Sequence, residues 1–469
     1  MPHICTRKFR LVLRALLVVW AAGPLAAQAQ FSQQGPKLVG TGAIAPYGGA
    51  SGPEQGFSVS LSGDGNTGIL GGIFDNNAAG AAWVFTRLNG VWSQQAKLVA
   101  TDTIGSLVEQ GIAVSLSNDG NTAIVGGPVD NLGSGAAWVF TRVNGMWSEQ
   151  AKLAATDAIG RQPDQGYSAS LSGDGNTAIV GGPNDNSSLG AVWVYTRSGS
   201  VWSQQTKLVA TDVVGNNIFQ GHAAALSRDG NTAIVGGYGD NDFGGAAWIF
   251  TRSGSVWTEQ AKLVATDTVG PYPTQQGFSV SLSSDGSTAI IGGINDNSSV
   301  GAAWVFARSG STWSEQAKLV ASDTLGPYPA LQGYSVSLSD NGNTAIVAGL
   351  GDNGYVGAAW VFTRSGSSWS EQEKLVGSNV QGNSAQGISS SLSGNGSTAM
   401  LGRPGDNGFG AAWVFAQPVF AGTPGKSNCY GQSVSALAQQ YGGLNNAAAA
   451  LGYPSVSALQ NAVETYCEA

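Results

Sequence analysis

One unit of about 55 residues recurs seven times in this chain of 469 residues. The glycine of a Gln-Gly pair falls at Gly56, Gly111, Gly166, Gly221, Gly277, Gly333 and Gly387. The Trp of a Trp-Val-Phe-like tripeptide falls at Trp83, Trp138, Trp193, Trp248, Trp304, Trp360 and Trp413. A fixed period of this length marks a repeat architecture, in which each unit needs its neighbours to bury its apolar faces.

Residues 111–154 give the contents of a unit. Gly111 to Ser117 alternates apolar and small polar residues, the period of a strand. Asn118-Asp119-Gly120-Asn121 is a tight-turn signal, and Thr122 to Gly127 is a short apolar strand buried on both faces. A loop with Asp130-Asn131 leads to a third strand, Gly135 to Arg142, and Asn144-Gly145 turns the chain into a fourth, Trp147 to Leu153. Four antiparallel strands repeated seven times predict an all-β, seven-bladed β-propeller. Thirteen of the 14 Trp residues occupy two fixed positions per repeat, and both positions are expected in the core.

The seventh repeat reaches its third strand near Ala411 to Ala416 and then meets Gln417-Pro418 without a fourth. At the other end of the chain, Phe31 to Val39 echoes Trp92 to Val99 with one extra residue. The N-terminal strand is therefore expected to complete the last blade. Closure removes the free strand edge on which another chain could pair, so a monomer is expected.

These repeats resemble the bacterial FG-GAP family, relatives of the seven-bladed propeller of integrin α-subunits. The matching residues are Gln110-Gly111, Val114-Ser115-Leu116-Ser117, Gly126-Gly127-Pro128 and Gly135-Ala136-Ala137-Trp138-Val139-Phe140, and the likeness runs over residues 31–416. Two features depart from the family pattern. Gln replaces the Phe of Phe-Gly throughout, and the dense Asp-x-Asp-x-Asp-Gly calcium loop is absent. The resemblance implies a propeller and an adhesive or ligand-binding role, and does not by itself imply calcium.

The rest of the chain divides into two short parts. Residues 1–29 read as a secretory signal: Arg7, Lys8, Arg10 and Arg14 precede or punctuate an apolar stretch, and Ala27-Gln28-Ala29 is a small-x-small cleavage site. The stretch is too short for a membrane span, so a secreted, periplasmic or cell-surface protein with no span in the mature chain is expected. The propeller occupies 30–418. Residues 419–469 are rich in Ala, Leu, Gln and Ser with helical spacing, a two- or three-helix module. Cys429 and Cys467, the pair left after the signal, would close it with a disulfide.

Charge and composition narrow the function. Removing the four basic residues of the signal from the 21 in the chain leaves 17 against 29 acidic ones, a net charge of −12. A surface of that sign excludes nucleic acid as a partner. His222 is the one histidine of the mature chain, too few for common zinc sites or Ser-His-Asp triads.

One acidic constellation recurs. Asp75, Asp130, Asp185, Asp240, Asp296, Asp352 and Asp406 follow the second strands, and Asp102, Asp157, Asp212, Asp267 and Asp323 follow the fourth. Both connections leave the same end of a blade, so twelve carboxylates are expected on one face of the disc, a candidate ligand face. Against this, Asp and Asn in such loops serve turn geometry. No cofactor is required; calcium is the candidate ion, at Asp240 and Asp242, the densest acidic cluster. Asp64, Asp119, Asp174, Asp229 and Asp285 belong to turns on the opposite face. The visible breaks in the repeat are His222, Arg228, Arg161-Gln162, Asp242 and Arg403. No acid/base pair stands out among them. The sequence therefore favours a non-catalytic binding or adhesion scaffold with an unknown protein or glycan ligand. The alternatives are a sugar-binding propeller and, behind it, a propeller glycosidase or lyase.

Overall fold

The computed structural model describes residues 30–45, 52–382, 385–417, 420, 425–451 and 453–468. Residues 1–29, the stretch expected to be a secretory signal, lie outside them. The described residues form seven four-stranded antiparallel blades around an axis. Blade 2 is representative: Val114–Leu116, Thr122–Gly127, Ala136–Val143 and Met146–Leu153, from the axis outward. The first strand is shorter than its alternation suggests, because Gly111 adopts φ +94° and turns the chain before the ladder begins.

That glycine also sets the distance between blades. A Cβ on Gly111 would lie 2.4 Å from Ala81 O of blade 1, so the two backbones meet where no side chain fits. The preceding Gln is fixed just as firmly. Gln110 is buried, and its Oε1 accepts the Ala100 N–H at 2.7 Å, pinning the linker that enters the blade. Gln55, Gln165, Gln220, Gln276, Gln332 and Gln386 pin theirs in the same way. An amide that holds backbone thus stands where the family pattern has a phenyl ring.

The core lies between blades. Trp138 is fully buried against Ile69, Ala82 and Val84 of blade 1, and its six counterparts are equally inaccessible. Burying each indole contributes roughly 1.5–3 kcal/mol. The second Trp of each repeat is different, which corrects the expectation that both positions are core. Trp147 is only partly buried and lies under the Arg142 guanidinium, 5.3 Å from its ring centroid. Both donate to one oxygen of blade 1, Gln95 Oε1, at 3.0 Å from Arg142 and 2.8 Å from Trp147. The outer Trp is half of a staple between blades.

The N-terminal strand closes the ring. Ser32 and Gln33 pair with Ala416 and Phe415, and Leu38 bridges to Ala412. Gln34 Oε1 takes the hydrogen bonds of Arg87 (2.8 Å) and Trp92 (3.1 Å), the place Gln95 holds in the next staple. The extra residue of this segment falls at Gly35-Pro36, between its two stretches of pairing. At its start the Phe31 N–H donates to Glu373 Oε1 at 2.6 Å. Burial pushes the Glu373 carboxyl up to about 7.

Helices Cys429–Tyr441, Leu444–Ala450 and Val456–Glu468 form the C-terminal module around Leu437, Leu451, Leu459 and Val463. Gly442, at φ +69°, ends the first of them. The Cys429–Cys467 disulfide joins the first and last helices. Leu451 O accepts the Ser32 hydroxyl, so the module sits against the strand that closes the ring.

Candidate functional site: an axial funnel

The acidic loops come to one end of the blades, but their carboxylates are already engaged. Asp75, Asp130, Asp185, Asp240, Asp296, Asp352 and Asp406 are all buried to 1% exposure or less. In six of them Oδ2 meets the ammonium of a fourth-strand lysine at 2.6–2.8 Å: Lys97, Lys152, Lys207, Lys262, Lys318 and Lys374. In blade 7 the partner of Asp406 is Lys37, delivered by the closing strand. Each Oδ1 accepts a linker N–H at 2.6–2.8 Å. Those six lysines also lie over the core Trp rings, 5.2–5.3 Å from the centroids.

The second acidic set has a different task. Asp102, Asp157, Asp212 and Asp267 accept the core Trp indole N–H at 2.6–2.8 Å, and Asp323 does the same for Trp360. Thr41 O and Ser378 O serve Trp83 and Trp413. The expected crowd of available carboxylates is thus an internal Asp–Lys–Trp girdle. Asp242 is exposed beside the buried Asp240, and no group of three or more His, Cys, Asp or Glu among the described residues is placed to hold a metal. On the opposite face Asp119 closes its turn by accepting from Ser117 Oγ and Asn121 N, bonds that hold its pKa below the usual range against the upward pull of burial.

The remaining breaks separate in space. Arg403, where the other six blades have Gly, is buried and donates to Val356 O and Gly382 O. Gln162 bonds Leu132 O. Arg228 of blade 4 reaches Asp340 of blade 6 at 2.8 Å. It does so at the turn end of the axis, where Leu61, Leu116, Leu171, Leu226, Leu282, Leu338 and Leu392 close in at 6–8% exposure.

His222 belongs to the other end. There a funnel of about 280 Å³ opens along the axis. Its wall is the residue after each Gln-Gly: Phe57, Ile112, Tyr167, His222, Phe278, Tyr334 and Ile388. The ring centroids step around it, Tyr167 to His222 at 5.1 Å, His222 to Phe278 at 4.8 Å and Phe278 to Tyr334 at 5.0 Å. Blade 4 extends the aromatic surface outward. Tyr238 packs edge-on to His222 at 4.7 Å and stacks on Phe219 at 5.0 Å, with Phe243 beside both.

The histidine's chemistry follows from its partners. Nδ1 faces Phe278 O at 3.1 Å, a group that only accepts, so Nδ1 carries the proton. Nε2 is then the acceptor for the Tyr167 hydroxyl at 3.4 Å. Burial holds His222 down at about 4 and pushes Tyr167 up to about 12. Both stay neutral at physiological pH. Burial raises the carboxyl pKa of Glu54, Glu109 and Asp164, each two residues before the glycine of a Gln-Gly pair, and Asp164 adds to the shift of Glu109. Sequence reasoning singled out His222 but missed the funnel. The signal was present: among near-identical repeats, the position after Gln-Gly is bulky everywhere and aromatic or His in five blades.

Residues 92–140 match the FG-GAP repeat family. The match runs from the outer strand of blade 1 through the third strand of blade 2, one unit of a pattern that recurs in seven blades. The chain is an FG-GAP repeat β-propeller. No curated protein matches it. Among solved structures, this FG-GAP propeller is similar in fold to a chain of Kuenenia stuttgartiensis hydrazine synthase. The TM-score is 0.50 at 13% identity, over 77% of this chain and 94% of that one. Similarity at that identity concerns the fold alone.

Proposed function

We propose that this FG-GAP propeller is an exported, non-catalytic ligand-binding or adhesion scaffold that recognises its ligand at the axial funnel. One observation carries the reading. The repeats keep their Gln, Gly, Trp and Lys nearly constant where these hold the ring together, and they diverge around the funnel and the blade 4 patch. A concave, largely apolar site with a few fixed polar groups is the usual form of a ligand pocket. Absence of catalysis is supported by His222 and Tyr167, whose pKa values of about 4 and about 12 keep both neutral and out of proton exchange near pH 7. Export is supported by the signal-like leader and by the disulfide, and no helix among the described residues is long and apolar enough to cross a membrane.

A sugar ligand is the second reading, favoured by the consecutive rings of Phe278 and Tyr334, on which a pyranose face can stack. The test is a glycan array and a panel of extracellular matrix proteins, probed with wild type and with Phe278→Ala/Tyr334→Ala, with and without calcium. Signals that vanish in the variant place binding in the funnel. Signals that persist unchanged would sink this assignment, and sugar released from the array would favour the enzymatic alternative.

A further inference from the structure

The funnel mouth has two unlike halves. The residue two places before each Gln-Gly glycine is Glu54, Glu109 and Asp164 on blades 1–3, and Phe219, Gln275, Leu331 and Ala385 on blades 4–7. All seven share the same left-handed backbone, φ 56–58°, so the repeat sets each side chain at an equivalent point just outside the funnel wall, where Phe219 stacks on Tyr238 and Tyr238 packs against His222. Charge therefore gathers on one side. On the other side lie the continuous rings of His222, Tyr238, Phe278 and Tyr334.

We infer that the ligand of this funnel carries an amine on a flat or apolar body, the amine turned to blades 1–3 and the body lying on blades 4–6. The inference rests on the funnel being the recognition surface and adds the ligand's chemistry. Charge complementarity carries it. Three half-buried carboxylates stand behind the wall on this side, where burial opposes their charge. Asp164 takes its hydrogen bond from Asn184 Nδ2 at 2.5 Å, a neutral donor that leaves the charge uncompensated. Glu109 and Asp164 both press on the Tyr167 phenol in the wall, which ties the acidic rim to the aromatic surface. A cation docked there relieves the mutual repulsion, and an apolar body displaces water from the rings beside it.

Three probes with one indole body separate the terms: tryptamine, tryptophol and indole-3-propionate, titrated calorimetrically into the whole protein. Tryptamine is expected to bind about tenfold tighter than tryptophol, the scale of a partly desolvated charge contact, with the acid weakest. Raising the salt from low to high should compress that ranking, a readout that needs no variant. Glu109→Gln/Asp164→Asn should bring all three to the tryptophol level, and Phe278→Ala/Tyr334→Ala should weaken all three together. Equal binding of the probes to wild type, or a ranking that survives the Gln/Asn variant, overturns the amine while leaving the funnel in place. If none of the probes binds at millimolar concentration, the funnel reading itself falls, and the amine with it.

Discussion

Left-handed backbone is uncomfortable for any residue with a Cβ, yet six blades hold three consecutive residues there after the buried Asp. Blade 2 uses Asn131, Leu132 and Gly133, with φ of 51°, 61° and 91°. Asn tolerates this region and Gly is at home in it, whereas Leu132 gains nothing from its side chain, which is 85% exposed. Leu132→Asn is therefore expected to stabilise the protein by about 0.5–1 kcal/mol, read as a higher Tm in calorimetry. An unchanged or lower Tm would mean that the turn is not strained. The Asp-Asn pair was legible in the sequence as turn chemistry. The fate of its carboxylate was not, because its partner lies in another strand. Even so, a lysine stands 22 residues after the Asp in six repeats, as from Asp130 to Lys152, and that spacing was there to be noticed.

At the scale of the blade, the Asp–Lys–Trp girdle makes two loops and two strands depend on one ion pair. The Lys262 side chain is 17% exposed and the Asp240 side chain 2%, so removing either partner leaves a poorly solvated charge. Asp240→Asn is expected to cost roughly 2–4 kcal/mol in chemical denaturation, toward the lower end for a pair that touches solvent at one side. Asp240→Asn/Lys262→Met should recover part of that loss. If the double variant falls by the sum of the two single losses, the pair is not coupled. Calcium, which needs six or more oxygens, is expected to leave the Tm unchanged where both Asp240 oxygens already have partners. Strand period and turn residues revealed the four-stranded unit. They could not separate the core Trp from the outer one, since both alternate correctly and only the Arg and Gln of adjacent strands tell them apart.

The whole molecule depends on its seam. Deleting residues 30–39 removes the outer strand of blade 7, the lysine of its girdle and the acceptor of the Arg87–Trp92 staple in one step. The truncated protein is expected either to lose cooperativity in thermal melts or to oligomerise through the exposed Ala411–Ala416 edge, seen by light scattering. A monomer that melts like the full chain would contradict the closure. Seven blades and a missing strand were legible because repetition multiplies a weak signal. The funnel was not, because its residues are 54–56 positions apart and meet only when the ring closes. Closure also imposes an order on synthesis. Ser32 waits for Ala416, its partner 384 residues later, so the first part of the propeller to emerge is the last to find its place. Until then six finished blades would wait beside an open seventh, and the helices that settle on the seam leave the ribosome only afterwards.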